Sequence, residues 1–360
     1  MTQKLPKKIV LLVDCLSKGG AEKAAAVLSQ ILFKNHFEIS IVSLKNDITY
    51  SYAGNLINIG VNKSKYKWIK QAQKVFQLKR VFKNLNADYI IDFRMRNRFL
   101  MEYVLYNLVF RNQKMIYTVH NYNVNYHIPK GSFFKAIYNK SKVTAVSKAI
   151  KTHLENTCKI TNVSYIPNTV NIDFIKEQAS ATCIDENYIV AIGRLNNSVK
   201  QFDKLITQYA KSSLPKNNIK LYILGEGKDK ENLKKQIKRL KLEACVTLFG
   251  FKKNPYTYIK QAKFMVLCSR IEGLPMVILE ALALETPVVA FNCKSGPSEM
   301  ILHNKNGLLI KDQDWSAMLE AIEKLSNNYN LIHALKQDSL KYILPYTPTE
   351  HYNRWLELLT

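Results

Sequence analysis

The 360-residue sequence has no run of 18 or more uninterrupted apolar residues, so nothing in it reads as a membrane span. Its first apolar stretch, Ile9–Val13, is far too short for the core of a signal peptide and ends at Asp14. That stretch reads as a buried first strand, and the chain is expected to stay in the cytoplasm. The six cysteines, Cys15, Cys158, Cys183, Cys245, Cys268 and Cys293, include no CxxC or CxxxC pair. Neither a zinc cluster nor a disulfide framework is suggested, and a reducing compartment fits. Acid is scarce too: 28 Asp and Glu stand against 53 Lys and Arg, a formal net charge of +25. Such a field draws nucleic acid, anionic lipid or phosphorylated small molecules. Zinc-finger, RNP and GxxG signatures are all missing, which argues against nucleic acid as the partner.

What is present is globular in composition, with 47% hydrophobic and 22% charged residues. At about 150 residues per domain, the length suggests two domains. Strand-like apolar runs alternate with helix-length amphipathic stretches, the pattern of an α/β protein. In the first half, strands are expected at Ile9–Val13, Ile39–Leu44, Tyr89–Phe93, Met115–Val119, Val143–Val146 and Val163–Ile166. Helices are expected at Glu22–Phe33 and Trp68–Leu85, with a turn at Lys18-Gly19-Gly20. Residues 172–186 are polar and poorly patterned, and read as a linker. A second series of strands follows at Tyr188–Ile192, Lys220–Leu224, Val246–Phe249, Phe264–Leu267 and Pro287–Phe291. The expected division is 1–170, 171–345 and a terminal segment 346–360. The last helix, Glu350–Leu359, carries Tyr352, Trp355 and Leu359 on one face. It either packs locally or crosses back onto the first domain. The shared βα rhythm implies two doubly wound sheets facing each other across a cleft.

The stretch Ser269–Glu280, SRIEGLPMVILE, is the most informative. It reads as a strand end, a loop and a helix with Pro275 in its first turn, where an N–H would be unpaired anyway. The free N–H groups around Leu274–Val277 make an anion site that the helix dipole strengthens. Glu272 in the loop and Glu280 in the helix can each accept hydrogen bonds from hydroxyls. Taken singly, Glu272 is an ordinary loop carboxylate and Glu280 a helix-face charge. Yet Glu280 lies between Met276–Leu279 and Ala281–Leu284, where a carboxylate is costly without a partner.

Glu272 and Glu280 form an E-x7-E pattern within EGLP…EA…PVVA, which resembles the retaining glycosyltransferases of family 4. The resemblance implies the GT-B fold, with two Rossmann-like domains. Ala191–Leu195 (AIGRL) followed by Lys200 is similar to the family segment whose arginine and lysine hold the donor diphosphate. Arg194 and Lys200 suit that role chemically, as cations able to neutralise a leaving diphosphate. Gly19 and Gly20 resemble the glycine loop after the first strand, where the backbone approaches a ligand. His120, in TVHN, resembles the strand-end histidine that faces the donor sugar. Val146-Ser147-Lys148 and Ile166-Pro167-Asn168 resemble two further landmarks, and Phe251 with Lys252 stands where the family places the nucleobase. The resemblance spans about residues 9–325. Three departures stand out. Lys200 lies one residue farther from Arg194 than is usual, Gln201 replaces a common glycine, and Thr169 and Asn171 replace a glycine and an aspartate.

Other signals reduce to ordinary structure. Gly225-Glu226-Gly227 lacks the third glycine of a dinucleotide fingerprint, because Lys230 stands in its place, and reads as a strand-to-helix loop. Asp312-Gln313-Asp314 precedes the helical pattern Trp315–Leu325, so Asp314 reads as an N-cap and no metal is expected. Gly296–Glu299 is a turn into a short helix.

The expectation is a retaining enzyme that moves a sugar from a nucleoside diphosphate sugar, UDP-linked by resemblance, to a glycan acceptor. No cofactor or metal is required. Catalytic roles fall to Glu272, His120, Arg194 and Lys200. The donor is held by Gly19, Gly20, Arg194, Lys200, Phe251, Glu272, Gly273, Leu274, Pro275, Met276 and Glu280. A UDP-sugar epimerase of the same architecture and a basic nucleic-acid-binding protein are the alternatives.

From Lys63 to Lys83 there are eight Lys or Arg and no acid, interleaved with Tyr66, Trp68, Phe76 and Phe82. The pattern recurs over Lys130–Lys151 with Phe133, Phe134 and Tyr138. These are either solvated basic faces over core aromatics or a surface that rests on anionic lipid. The second reading implies a peripheral protein on the inner face of a plasma membrane. It would act on a lipid-linked glycan in bacterial surface-polysaccharide synthesis.

Overall fold

The structure is a computed structural model that describes residues 6–17, 19–60, 66–179 and 184–360. Lys18, Lys63, Lys65 and Cys183 lie outside the described residues, and at Lys67, Trp68 and Lys70 only the backbone is described. The chain divides into two compact units, Met1–Thr169 with His351–Thr360, and Val170–Glu350.

The first unit is built on seven strands: β1 (Lys8–Val13), β2 (Glu38–Ser43), β3 (Asn55–Asn58), β4 (Tyr89–Asp92), β5 (Met115–Val119), β6 (Lys142–Ala145) and β7 (Val163–Tyr165). All pair in parallel, in the order β3-β2-β1-β4-β5-β6-β7. Parallel strands are covered on both faces, so they read as continuous apolar runs such as IVLLV in β1, every residue of which is buried. The crossovers carry α1 (Gly20–Lys34), α2 (Lys67–Leu85), α3 (Phe99–Leu105), α4 (Ser132–Lys140) and α5 (Lys148–Asn156). A π-helical turn, Tyr106–Phe110, continues α3.

The second unit begins with α6 (Ile172–Gln178). The expected linker at 172–186 is corrected in its first part, where residues 172–178 are helical: Asn171 caps this helix by accepting from the Phe174 N–H at 3.1 Å. Six strands follow: β8 (Tyr188–Ile192), β9 (Lys220–Leu224), β10 (Val246–Gly250), β11 (Met265–Leu267), β12 (Val288–Asn292) and β13 (Gly307–Lys311). They too are parallel, ordered β10-β9-β8-β11-β12-β13. Between them run α7 (Asn197–Lys200), α8 (Phe202–Lys211), α9 (Lys230–Arg239), α10 (Tyr256–Lys260), α11 (Met276–Ala283) and α12 (Pro297–Met300). After β13 come α13 (Trp315–Ser326) and α14 (Tyr329–Gln337). Both sheets have the doubly wound order of nucleotide-binding folds.

The last helix, α15 (Pro348–Leu359), brings Trp355, Leu358 and Leu359 into the core formed by Ile9, Leu11, Ile39, Ile41 and Ile91 of the first unit. The Trp355 indole N–H donates to His351 Nε2 at 3.0 Å, and His351 Nδ1 lies 2.8 Å from the Pro167 carbonyl. That pair of bonds fixes the neutral tautomer with its proton on Nδ1.

Candidate functional site

In a doubly wound sheet, ligands bind beyond the carboxyl ends of the strands where strand order reverses. In the second unit that point lies between β8 and β11. The two loops that leave these strands are stitched together. The Arg270 N–H donates to the Val199 carbonyl at 2.8 Å, and the Gln201 side-chain amide donates to the Cys268 carbonyl at 2.8 Å. Across this seam Lys200 forms an ion pair with Glu272, both side chains mostly buried. The Lys200 stem lies over Gly193, where an added Cβ would sit 3.1 Å from Cε. Gly225 and Gly227 let the loop after β9 pack backbone to backbone on the loop after β8. A Cβ at Gly225 would meet the Gly193 carbonyl oxygen at 1.9 Å. This pair of glycines is a packing device for the β8 loop.

The loop after β11 then turns into α11. Pro275 stands at the N-cap, in extended conformation, and Met276 is the first helical residue, so the proline lies one step ahead of the expected first turn. The first bond inside the turn runs from the Ile278 N–H to the Pro275 carbonyl, so the amides of Met276 and Val277 precede it. The loop is braced from behind by the Ser295 hydroxyl, which donates to the Gly273 carbonyl at 2.6 Å. Gly296, at φ +96°, completes the brace, because a Cβ there would come within 2.4 Å of Pro275 Cδ. Glu280 is buried in α11 among Ile278, Leu279 and Ala281–Ala283. Arg194 lies exposed at the exit of β8. Phe251 is exposed after β10, two strand positions from β8, and is not part of the Lys200–Glu272 seam.

Two residues to which the sequence reading assigned no role belong here. Gln201 joins α7 to α8 in the left-handed conformation (φ 54°, ψ 36°), which explains why glycine is common at this position. Its side chain is buried and Oε1 has no hydrogen-bond partner. The buried Ser269 hydroxyl, at the start of the loop after β11, also has no partner. Polar atoms orphaned in this way are rare, and here both belong to the loops that leave β8 and β11.

In the first unit, order reverses between β1 and β4. Gly19 is the N-cap of α1, and a Cβ there would collide with the Glu22 carboxylate, 1.8 Å away. Gly20 faces open space. Beyond β4 lies a buried ionic cluster. Asp92 pairs with Arg94 at 2.7 Å and with Arg96 at 3.5 Å, and Arg94 pairs with Glu102 at 3.1 Å. Burial pushes the Asp92 carboxyl up, but the two guanidiniums outweigh it and hold it below the usual range. Burial raises the Glu102 carboxyl against the pull of Arg94. Arg96 also donates to the carbonyls of His127 at 2.9 Å and Thr118 at 2.7 Å, and to the Tyr138 hydroxyl at 3.0 Å. It thereby clamps the strand end that carries His120. Both ring nitrogens of His120 are buried without a partner, and burial, with help from Arg96, lowers its pKa to about 3. The ring is held neutral, fit to accept or donate a hydrogen bond but not to supply charge.

Asp314 caps α13, accepting from the Ala317 N–H at 3.0 Å. Among the described residues no group of three or more His, Cys, Asp or Glu is placed to hold a metal ion.

Comparison with known proteins bears on the family and the fold. The family model described as Glycosyl transferases group 1 matches residues 174–341, and that described as Glycosyltransferase Family 4 matches residues 18–174. The amylovoran biosynthesis glycosyltransferase AmsD of Erwinia amylovora is 25% identical over 367 residues, an alignment covering 98% of this chain and 99% of that one. The N-acetylgalactosamine-N,N'-diacetylbacillosaminyl-diphospho-undecaprenol 4-alpha-N-acetylgalactosaminyltransferase of Campylobacter jejuni is 26% identical over 377 residues, covering 94% of this chain and 100% of that one. Among solved structures, S. aureus TarM in complex with UDP superimposes with a TM-score of 0.80 at 18% identity, covering 98% of this chain and all of the other. That likeness is one of fold.

Proposed function

Since the chain belongs to the glycosyltransferases of the GT-B fold, we propose that it is a retaining enzyme that transfers a sugar from a UDP-sugar to a lipid-linked glycan. The observation that carries this reading is the Lys200–Glu272 pair at the switch point of the second sheet, beside the unpaired amides that open α11. A diphosphate docks on those amides, and Arg194 and Lys200 neutralise it as it leaves. Glu272 accepts from a sugar hydroxyl and Glu280 from the ribose. The nucleobase goes to Phe251. His120, Gly19 and Gly20 serve the sugar and acceptor from the N-terminal unit. The acceptor oxygen bonds to the anomeric carbon as the bond to the diphosphate breaks, and the acceptor proton passes to the departing phosphate on the same face. UDP is favoured because TarM and Anabaena HepE, of the same fold, bind it.

The lipid-linked acceptor follows the Campylobacter relative, whose name specifies a diphospho-undecaprenol substrate, and the membrane setting follows from the excess of basic residues. No helix among the described residues is long and apolar enough to cross a membrane, so contact with the bilayer would be peripheral. A thermal-shift screen with UDP, GDP and ADP tests the donor assignment. Stabilisation by UDP alone is expected, and no response to any of the three would overturn the site. Conversion of a UDP-sugar to its epimer without any acceptor would favour an epimerase instead.

A further inference from the structure

The N-terminal unit carries an apolar helix face that no described residue covers. In α3 and its π-helical continuation, Glu102, Leu105, Val109 and Phe110 turn inward. Leu100, Val104 and Leu108 stand four residues apart on the outward side, with Leu100 77% and Leu108 51% exposed. Phe99 and Tyr103 are exposed beside them. A solvated helix would place polar residues there. Along the flank of α3 runs an open groove of about 610 Å³, walled by Ala72 and Val75 of α2 and by Leu100 and Val104, with Arg98 the one charged wall among the described residues.

The charge around this ridge decides what it fits. Residues 61–154 contain 19 Lys and Arg and only three acids, Asp88, Asp92 and Glu102. Asp92 and Glu102 are buried against Arg94, which leaves Asp88 as the one acid facing solvent. Exposed Arg98 and Arg111 bracket the ridge, and α4 adds exposed Lys135 beside Phe133, whose ring lies 5.0 Å from that of Tyr103. A second copy of the chain would bring the same positive charge against itself. A nucleic acid would satisfy the charge but leave Leu100, Val104 and Leu108 bare. An anionic lipid leaflet satisfies both.

We propose that α3 is the element by which the chain enters an anionic membrane leaflet. The outward side chains of Leu100, Val104 and Leu108 reach the acyl region, and the groove against α2 takes hydrocarbon. Arg98, Arg111 and Lys135 extend to the headgroups. This rests on the membrane reading above and relocates it. In the two basic stretches Phe82, Phe134 and Tyr138 are core residues and Lys74 is tied to the Leu44 carbonyl at 2.7 Å, while Phe76, Lys79, Arg80 and Lys135 stay exposed and can add to the contact that α3 makes.

The test is co-sedimentation of the full chain with vesicles of phosphatidylcholine alone and of phosphatidylcholine mixed with phosphatidylglycerol. Wild type is compared with Leu100→Asn/Val104→Asn and with Lys79→Gln/Arg80→Gln/Lys135→Gln, all at exposed positions. The α3 variant should lose about tenfold or more in partitioning onto the mixed vesicles, with UDP affinity unchanged. In Leu100→Trp, the added fluorescence should shift blue on those vesicles and be quenched by lipids brominated in their acyl chains. If the α3 variant binds like wild type while the triple variant falls away, the contact is purely electrostatic. The inference then fails while the peripheral reading survives. If wild type binds neither vesicle, both fail and the transferase reading stands untouched. A dimer abolished by the α3 substitutions, with vesicle binding intact, would assign the ridge to self-association and overturn the proposal.

Discussion

Replacing Glu272 by glutamine should move two observables in opposite directions. Lys200 is paired with Glu272, so an arriving diphosphate must draw the ammonium away from that carboxylate. Removing the carboxylate's charge frees Lys200 for the diphosphate. Exposed ion pairs are worth about 0.2–1 kcal/mol, and breaking a buried one costs about 3–5 kcal/mol. This pair is mostly but not fully buried, so a coupling of about 1–2 kcal/mol is reasonable, or roughly 5- to 30-fold. Glu272→Gln should therefore bind UDP, which has no sugar, more tightly than wild type by that factor. Transfer should fall all the same, because the charged acceptor for a sugar hydroxyl is gone, at a cost of about 1.5–3 kcal/mol. Calorimetry with UDP and a transfer assay read the two separately. In a Lys200→Met background the gain in UDP affinity should vanish, as a double-mutant cycle requires. Weaker UDP binding in the single variant, or the same gain in both backgrounds, would refute the reasoning.

Three further outcomes are expected. Glu280→Ala should weaken nucleotide binding by about 1.5–3 kcal/mol through loss of a charged hydrogen bond to the ribose, and wild-type affinity in a folded variant would remove Glu280 from the site. Transfer should persist in EDTA, because Arg194 and Lys200 supply the positive charge that a metal would otherwise bring. Loss of activity restored by manganese or magnesium would contradict that. The N-terminal unit should lose stability as pH falls below about 6.5. Burial lowers the pKa values of His120 (to about 3), His127 and His351 (to about 4), so the unfolded chain takes up protons there that the folded chain refuses. The stabilisation is complete above the unfolded histidine pKa and falls by up to about 1.4 kcal/mol per pH unit for each ring. Hydrogen exchange at β4 and β5 amides between pH 7 and pH 5, corrected for intrinsic rates, measures it, and a constant opening free energy would exclude it.

Most of the strands that sequence reading located are buried on both faces; β7 and β10, outermost and only partly buried, were located as well. Met115–Val119, Tyr188–Ile192 and Lys220–Leu224 keep their expected bounds because a continuous apolar run leaves little choice of register. The elements it missed sit at edges or break the usual pattern. β3 (NLIN) and β13 (GLLIK) are outermost strands, and β3 is only half-buried. In α3, FLMEYVL is apolar on both faces and has no side-chain cap, so it shows neither helical periodicity nor a start signal. That absence of amphipathicity is the property that leaves Leu100 and Val104 bare. α6 was taken for linker because only Ile175 of its seven residues is buried, which is too few to show a period.

The candidate site was legible where the backbone itself does the work: the Gly225–Gly227 loop after β9 and the turn into α11. It was not legible where loops distant in sequence meet. Lys200 and Glu272 are 72 residues apart, and nothing local in either segment announces their pairing. Position 201 joins the two cases. Its substitution by glutamine looks like damage to a glycine turn, and the left-handed backbone there costs a residue with a side chain about 1–2 kcal/mol. But the glutamine amide donates to the Cys268 carbonyl at the end of β11, in a buried place where such a bond returns about 1 kcal/mol. The same turn ends α7, the short helix that carries Lys200. Lys200 thus ends a helical turn anchored next to β11. The ammonium reaches Glu272, the contact that the proposed donor site uses.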